Sequence, residues 1–240
     1  MLIRYLEIHH FMNRVEDRAT RTKRVLLEQA CRIFAEKGFH ETTVAEICSE
    51  AEANIAAVNY HFGSKKALYV EAWRSSMEQS LAKYPPDGGI SPGAPPEQRL
   101  RGRITSLMQR VADMETHAFD IVHKEMASPT GLLTNVMQEL LEPLRIEFRV
   151  LIAELLGKKA TAQEIELCHM SIRSQCFGPL LRERRRKKAG HLRPARKCER
   201  LAAGVDVLAE HVTCFSLAGI GEMARTIAKR KRQPIGRPGK

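Results

Sequence analysis

The chain has 240 residues, enough for one or two domains with a sizeable core, and carries a formal net charge of +11 with a pI near 9.6. Aromatics make up only 5% of it, β-branched runs are few and apolar residues recur at three-and-four spacing, so the expected fold class is all-α. No apolar run approaches the roughly 20 residues that cross a bilayer, and the N-terminal MLIRYLEIHHFMNRV has histidines and no small-residue cleavage site. A membrane partner and a signal peptide are therefore not expected, and the expected location is the cytoplasm.

Residues 1–19 are read as an irregular extension, with residues 1–11 lying upstream of Met12, a second candidate start. From Thr20 to Lys37 the pattern is helical, with Leu26, Ala30, Ile33 and Phe34 on one face. Gly38 supplies a left-handed end position, and Phe39 can fold back on Phe34. A second helix begins at Thr43 with Glu46 three residues on, the capping-box spacing, and turns Val44, Ile47, Cys48 and Ala51 inward. Four residues later Asn54 caps a short helix ending near Tyr60, and Ser64 caps a fourth from Lys65 to about Lys83.

The run YPPDGGISPGAPPEQ, residues 84–98, holds five prolines and three glycines and reads as a linker or loop. Beyond it helices are expected at about 97–126, 130–156 with a bend near Pro143, 161–186 with a Thr161/Glu164 capping box, and 197–228. Residues 182–200 hold ten Lys or Arg against two Glu, and the tail KRKRQPIGRPGK, read as disordered, holds six basic residues and no acid. Such runs are commonly solvated, and they indicate only that an anion suits the chain.

Three helices within residues 20–60, the last two joined by a four-residue turn, form a helix-turn-helix. The third helix is too short to stand alone and must be braced by the first two, leaving an outer face of Ala56, Ala57, Asn59 and Tyr60, followed by His61. Small residues let such a helix sink into a major groove, where Asn can pair with adenine. The Thr43 hydroxyl, Lys65 and a free backbone N–H at the cap are placed for phosphates.

These residues resemble the TetR family of bacterial transcriptional regulators. The resemblance rests on VLLEQACRIFAEKGFHETTVAEIC followed by AVNYHFGSKKALY, about residues 20–80. ANIAAVNYHFGSKKALY is most similar to a subgroup with KEMASP- and SQC-type segments, present here at 124–129 and 174–176. The resemblance implies a homodimer of two-domain chains: a helix-turn-helix domain at 20–80 that binds double-stranded operator DNA, and a larger helical domain at 84–228 that binds a small-molecule effector and dimerises through its last two helices. Residues 1–19 would be an extension and 229–240 a basic tail.

Carried over by position, Thr43 contacts phosphate, Asn54 through Asn59 form the recognition helix, and Tyr60, His61 and Lys65 clamp backbone. Ile55 is expected at the DNA surface and Val58 inside. The chain departs from the family at Glu52, where the turn normally has Gly. A side chain there must accept a positive φ at roughly 1 kcal/mol, and its charge lies near DNA.

Signals in the second domain are weaker. His117, His123, Met126, His169, Gln175 and Phe177, with Glu125, Cys168 and Cys176, are polar, soft or aromatic residues that could line an effector site, although each alone is more often a satisfied core or surface residue. Ile165, Cys168, Ile172 and Cys176 with Leu201, Val205, Leu208 and Val212 form two apolar rows that suit a four-helix dimer interface. The six cysteines, which also include Cys31, Cys48, Cys198 and Cys214, form no CxxC pair and no zinc-spaced cluster, so no metal and no cofactor is expected. Phosphate-loop, HExxH and GxSxG motifs are absent, so an enzyme is not expected. The alternatives to a ligand-released repressor are a thiol-responsive regulator of the same fold and a non-specific basic architectural protein.

Overall fold

The computed structural model describes residues 18–188 and 204–230, and every described element of secondary structure is a helix. The extension through residue 17, the segment 189–203 with Leu201 and Cys198, and the tail from 231 lie outside the described residues. The helices are α1 (Arg18–Glu41), α2 (Val44–Glu50), α3 (Ile55–Phe62), α4 (Lys65–Lys83), α5 (Pro96–Ala112), α6 (Ala118–Ala127), α7 (Thr134–Leu156), α8 (Ala162–Lys188) and α9 (Val205–Lys229). The chain folds as two compact units: residues up to Ser80 with Glu115–Gln138, and Leu81–Met114 with the residues from Glu139 on. Glu115–Gln138, which contains KEMASP, thus groups with the helix-turn-helix, although the sequence-based boundary put it in the second domain.

In the first unit the expected face of α1 is the core: Leu26, Ala30 and Phe34 are fully buried and Ile33 nearly so. Leu26, Ile33 and Phe34 each contribute about 1.5–3 kcal/mol by that burial. Gly38 has φ 81°, which breaks the helix locally and turns Phe39 back so that its ring lies 6.4 Å from Phe34 and 5.2 Å from Tyr69. The Thr42 hydroxyl donates to the Gly38 carbonyl at 2.7 Å and holds this turn closed. Thr43 is the α2 N-cap and accepts from the Glu46 N–H at 3.1 Å, but the Glu46 carboxylate pairs with Lys37 rather than returning to the cap. Ile47 and Cys48 are buried and Val44 and Ala51 half-buried, as the spacing requires. The Ser64 hydroxyl accepts from the Ala67 N–H at 3.2 Å and starts α4.

Helix α6 packs on α1, with Ala118 and Ile121 fully buried and the Lys124 stem against Gly38. Glu125 fastens its end: the carboxylate accepts from the Tyr69 hydroxyl at 3.0 Å, the Thr130 N–H at 2.8 Å and the Gly131 N–H at 2.9 Å. Helix α7 therefore starts at Thr134, not at 130 as expected.

In the second unit α5 packs against α8 and α9 through Leu100, Ile104, Met108 and Val111, all fully buried. The proline-rich run is a packed loop that docks on α5. Ser106 donates to the Tyr84 and Pro85 carbonyls, and a Cβ at Gly102 would lie 2.4 Å from the Asp87 carbonyl oxygen. The single helix expected at 97–126 is interrupted between Ala112 and Ala118. Arg184 supplies the reason: its guanidinium donates to the Val111 and Asp113 carbonyls, satisfying groups that a helix end leaves unpaired. Helix α7 runs on through Pro143. The Thr161/Glu164 box forms in full, and the hydrogen bond from Arg230 together with the Thr161 donors holds the Glu164 carboxyl down at about 2.

Candidate nucleic-acid interface

Helix α3 has one fully buried side chain. Val58 is fully buried while Ile55 is 51% exposed, so the two apolar residues of the helix serve opposite faces, with Ile55 outward as expected. Asn54 caps the helix by accepting from the Ala56 N–H at 2.9 Å, and Gly63 ends it at φ 76°. The exposed face carries Asn54, Ile55, Ala56, Asn59 and Tyr60, while Ala57 and His61 are half-buried. Tyr60 is 80% exposed and is steadied edge-on by the His61 ring at 4.8 Å. A major groove admits an α-helix, and small, amide and aromatic side chains are of the kinds that can meet base edges and backbone there.

The flanking groups behave differently from one another. Thr43 is exposed, and a hydroxyl that already accepts from Glu46 still has its proton to give to a phosphate oxygen. The Lys65 ammonium sits 4.4 Å over the Phe39 ring, and burial lowers its pKa from the ordinary lysine value. It is thus pre-positioned beside α3 rather than swinging freely.

The turn before α3 contains the one departure. Glu52 has φ 48°, the single positive φ outside glycine among the described residues. It shares an open cleft of about 560 Å³ with Arg18, Arg21, Thr22 and Asn54. Lys23 and Arg24, the next basic residues of α1, do not line that cleft: Lys23 lies over Phe62 and Arg24 pairs with Glu28 at 3.7 Å. Sequence reading passed over Arg18, which precedes the expected helix start at Thr20, and Arg21, in the first turn of that helix, although a basic pair three residues apart was visible.

Two sequence-based groupings change. The six effector-site candidates fall in different units. His117 lines a cavity of about 380 Å³ with Arg24, Glu28, Cys31 and Glu115, whereas His123 and Met126 are exposed on α6. His169 is buried in the second unit with its ring 5.4 Å from Phe148, and Gln175 and Phe177 are half-buried on α8. Neither unit assembles the set.

The rows expected at the dimer interface are mostly core: Cys168, Ile172, Cys176 and Val212 are buried inside the subunit, and Ile165, Val205 and Leu208 half-buried. The exposed large apolar residues of these helices are Leu167 and Met170 on α8 and Val207 and Phe215 on α9, between 47% and 64% exposed. Burial also quiets four of the five described thiols, Cys214 being exposed. It pushes Cys31 up to about 11 and Cys176 to about 12, and raises Cys48 and Cys168 as well. No group of three or more His, Cys, Asp or Glu able to hold a metal occurs among the described residues.

Two family profiles match the chain. The N-terminal one, bacterial regulatory proteins of the tetR family, covers residues 26–72; the other, the C-terminal domain of the HTH-type transcriptional dual regulator CecR, covers residues 96–220, more than half of the chain. The chain belongs to the TetR family. The TetR helix-turn-helix profile thus contains α2, α3 and the Glu52 turn, and the CecR-type profile spans both the KEMASP and SQC segments.

Among TetR-family relatives, CecR of Shigella flexneri is 30% identical over 149 residues, 56% of this chain and 65% of that protein. The regulator YerO of Bacillus subtilis is 32% identical over 91 residues, 38% of this chain and 32% of YerO. The chain therefore spans less than two thirds of the length of these relatives. Both are named as HTH-type transcriptional regulators.

Solved TetR-type structures share the fold. A transcriptional regulator from Pseudomonas aeruginosa PAO1 superposes with a TM-score of 0.67 at 16% identity, covering 90% of this chain and 97% of its own. A TetR-like regulator from Rhodococcus sp. RHA1 gives 0.63 at 20% identity, covering 86% and 98%.

Proposed function

We propose that this TetR-family chain is a cytoplasmic, sequence-specific DNA-binding transcriptional regulator that represses from a pseudo-palindromic operator and is released by a small-molecule effector. The observation that carries the reading is the exposed face of α3, with Ile55, Ala56, Asn59 and Tyr60 outward on a helix whose one fully buried side chain is Val58. Asn59 reads a base edge, Ile55 and Ala56 meet thymine methyls, and Thr43, Tyr60 and Lys65 hold the backbone. A net charge of +11 favours encounter with DNA. A homodimer, paired through the outward faces of α8 and α9 that carry Leu167, Met170, Val207 and Phe215, sets two α3 helices into successive major grooves roughly 34–36 Å apart. The effector acts by binding the DNA-free arrangement better than the DNA-bound one.

Footprinting over the DNA that flanks its own gene tests the reading. A protected inverted repeat with half-sites about one helical turn apart is expected. Equal protection of all sequences would leave a non-specific architectural protein in its place. A thiol-responsive version has weak support, because four of the five described cysteines are buried.

A further inference from the structure

Arg110 lies near the end of α5 and is 7% exposed. Its Nη1 is fully buried without a hydrogen-bond partner, and among the described residues it forms no ion pair. Its neighbours in the second unit differ: Arg103 pairs with Glu147 at 2.7 Å, Lys83 with Asp113 at 2.9 Å, and Arg184 binds two carbonyls. Arg110 continues the stripe of Gly102 and Ser106, each four residues apart, but where those two meet the docked 84–90 loop the guanidinium meets no acceptor. A guanidinium cannot shed its charge at neutral pH, and a charge is buried at high cost unless it is paired. Burial, with repulsion from Arg103, lowers its pKa only to about 10, so it stays cationic. Ser106 and Arg103, four and seven residues before it on this helix, both have partners.

We propose that Arg110 is the anchor of the effector site and that the effector is a small organic acid, its carboxylate forked onto the Arg110 guanidinium and its body apolar. One planar guanidinium matches one carboxylate with two parallel hydrogen bonds. A phosphate dianion would call for a second free cation, which the paired neighbours do not offer. The apolar body follows from the enclosure: at 7% exposure the Arg110 side chain leaves little water to solvate a polar body beside it. This rests on the reading of the second unit as the effector-binding one.

The test is thermal melting of the full chain, ligand-free and with two matched pairs of probes, octanoate against octanamide and benzoate against benzamide. In the wild type at least one acid should raise the melting temperature by about 2 °C or more beyond its amide. Arg110→Met should lose that difference while melting no lower than the wild type without ligand, since it removes an unpaired buried charge. Arg110→Lys, which keeps the charge but not the fork, should retain part of the difference. The proposal is overturned if neither acid outperforms its amide, if Arg110→Met keeps the difference, or if Arg110→Met melts well below the wild type. DNA plays no part in these melts, so a failure of operator binding and a failure of the acid site are read separately.

Discussion

Replacing Glu52 by glycine separates backbone strain from charge in the turn before the recognition helix. Glu52 holds φ 48°, a conformation that costs an L-residue about 1–2 kcal/mol and glycine nothing. Glycine also loosens the unfolded chain, which takes back roughly 0.4–1 kcal/mol. The net gain should be about 0.5–1 kcal/mol, a rise of roughly 1–4 °C in the melting temperature of a protein of this size. The charge acts independently. A carboxylate about 8 Å from a phosphate in water repels it by roughly 0.5 kcal/mol, and Arg18 and Arg21 across the shared cleft are freed to attract it. Glu52→Gly should therefore bind operator about two- to fourfold more tightly at low salt, with much of the gain lost at physiological ionic strength, where screening sets in at about 8 Å. Glu52→Gln is the control: it keeps Cβ and loses the charge, so it should show the affinity gain without the melting gain. Melting of the free protein and anisotropy titrations at two salt concentrations read both effects. If Glu52→Gly melts lower than the wild type, the strain argument is wrong; if its low-salt affinity is unchanged, the carboxylate does not face DNA.

Asn59→Ala should weaken operator binding by about 1–3 kcal/mol and leave random DNA unaffected in competition titrations; an equal loss on both would recast Asn59 as a backbone contact. Lys65→Ala should lower affinity for every sequence, flatten the salt dependence by roughly one unit per half-site, and destabilise the protein by about 0.5–1 kcal/mol through loss of the Phe39 contact. Phe215→Asp should sediment as a monomer with a melting temperature close to that of the wild type, whereas Ile172→Asp, at 2% exposure, should fail to fold; a wild-type chain that sediments as a monomer refutes the dimer and the operator symmetry together. Burial, with Arg173 and Arg149 nearby, lowers the His169 pKa below its ordinary 6.5 despite the opposing Glu166, so the unfolded chain takes up the proton first. Stability should hold above about pH 6.5 and fall as the pH drops below it; His169→Leu should flatten that slope, and an unchanged slope would mean that the ring does not titrate.

The parts legible in the sequence are those whose causes are local. Thr43, Asn54, Ser64 and Thr161 each cap their helix from within four residues, and Gly38 turns Phe39 onto Phe34 at short range. The split between α5 and α6 was not legible because Arg184, which takes up the carbonyls at the end of α5, lies more than seventy residues away. The dimer rows went astray for a related reason. Helices α8 and α9 carry apolar residues on two faces, and periodicity marks an apolar stripe without saying which stripe is core. Cys168, Ile172 and Cys176 fill the subunit, while Leu167 and Met170, on a different side of the same turns, remain outside. Arg110 had a readable signal, a lone cation between Met108 and Val111, but its isolation from acids is a property of the fold.

The grouping of Glu115–Gln138 with the helix-turn-helix constrains how an effector could reach DNA. The chain passes between the two units three times: within α4 after Ser80, after Met114, and within α7 after Gln138. Helix α6 lies on the DNA-binding side of two of these crossings and is bound there by Ile121, by the Lys124 stem at Gly38 and by the Glu125–Tyr69 bond. A ligand that favours one arrangement of the second unit can alter operator affinity only by its differential affinity for that arrangement, and operator must alter ligand affinity by the same factor. The segment after Met114 is where that coupling has least helix to carry it, because α5 stops there under the hold of Arg184 and α6 does not begin until Ala118. Arg110 sits one turn before the same break. An acid drawn to its guanidinium would therefore act on the last turn of α5, next to the segment that leads into the DNA-binding unit.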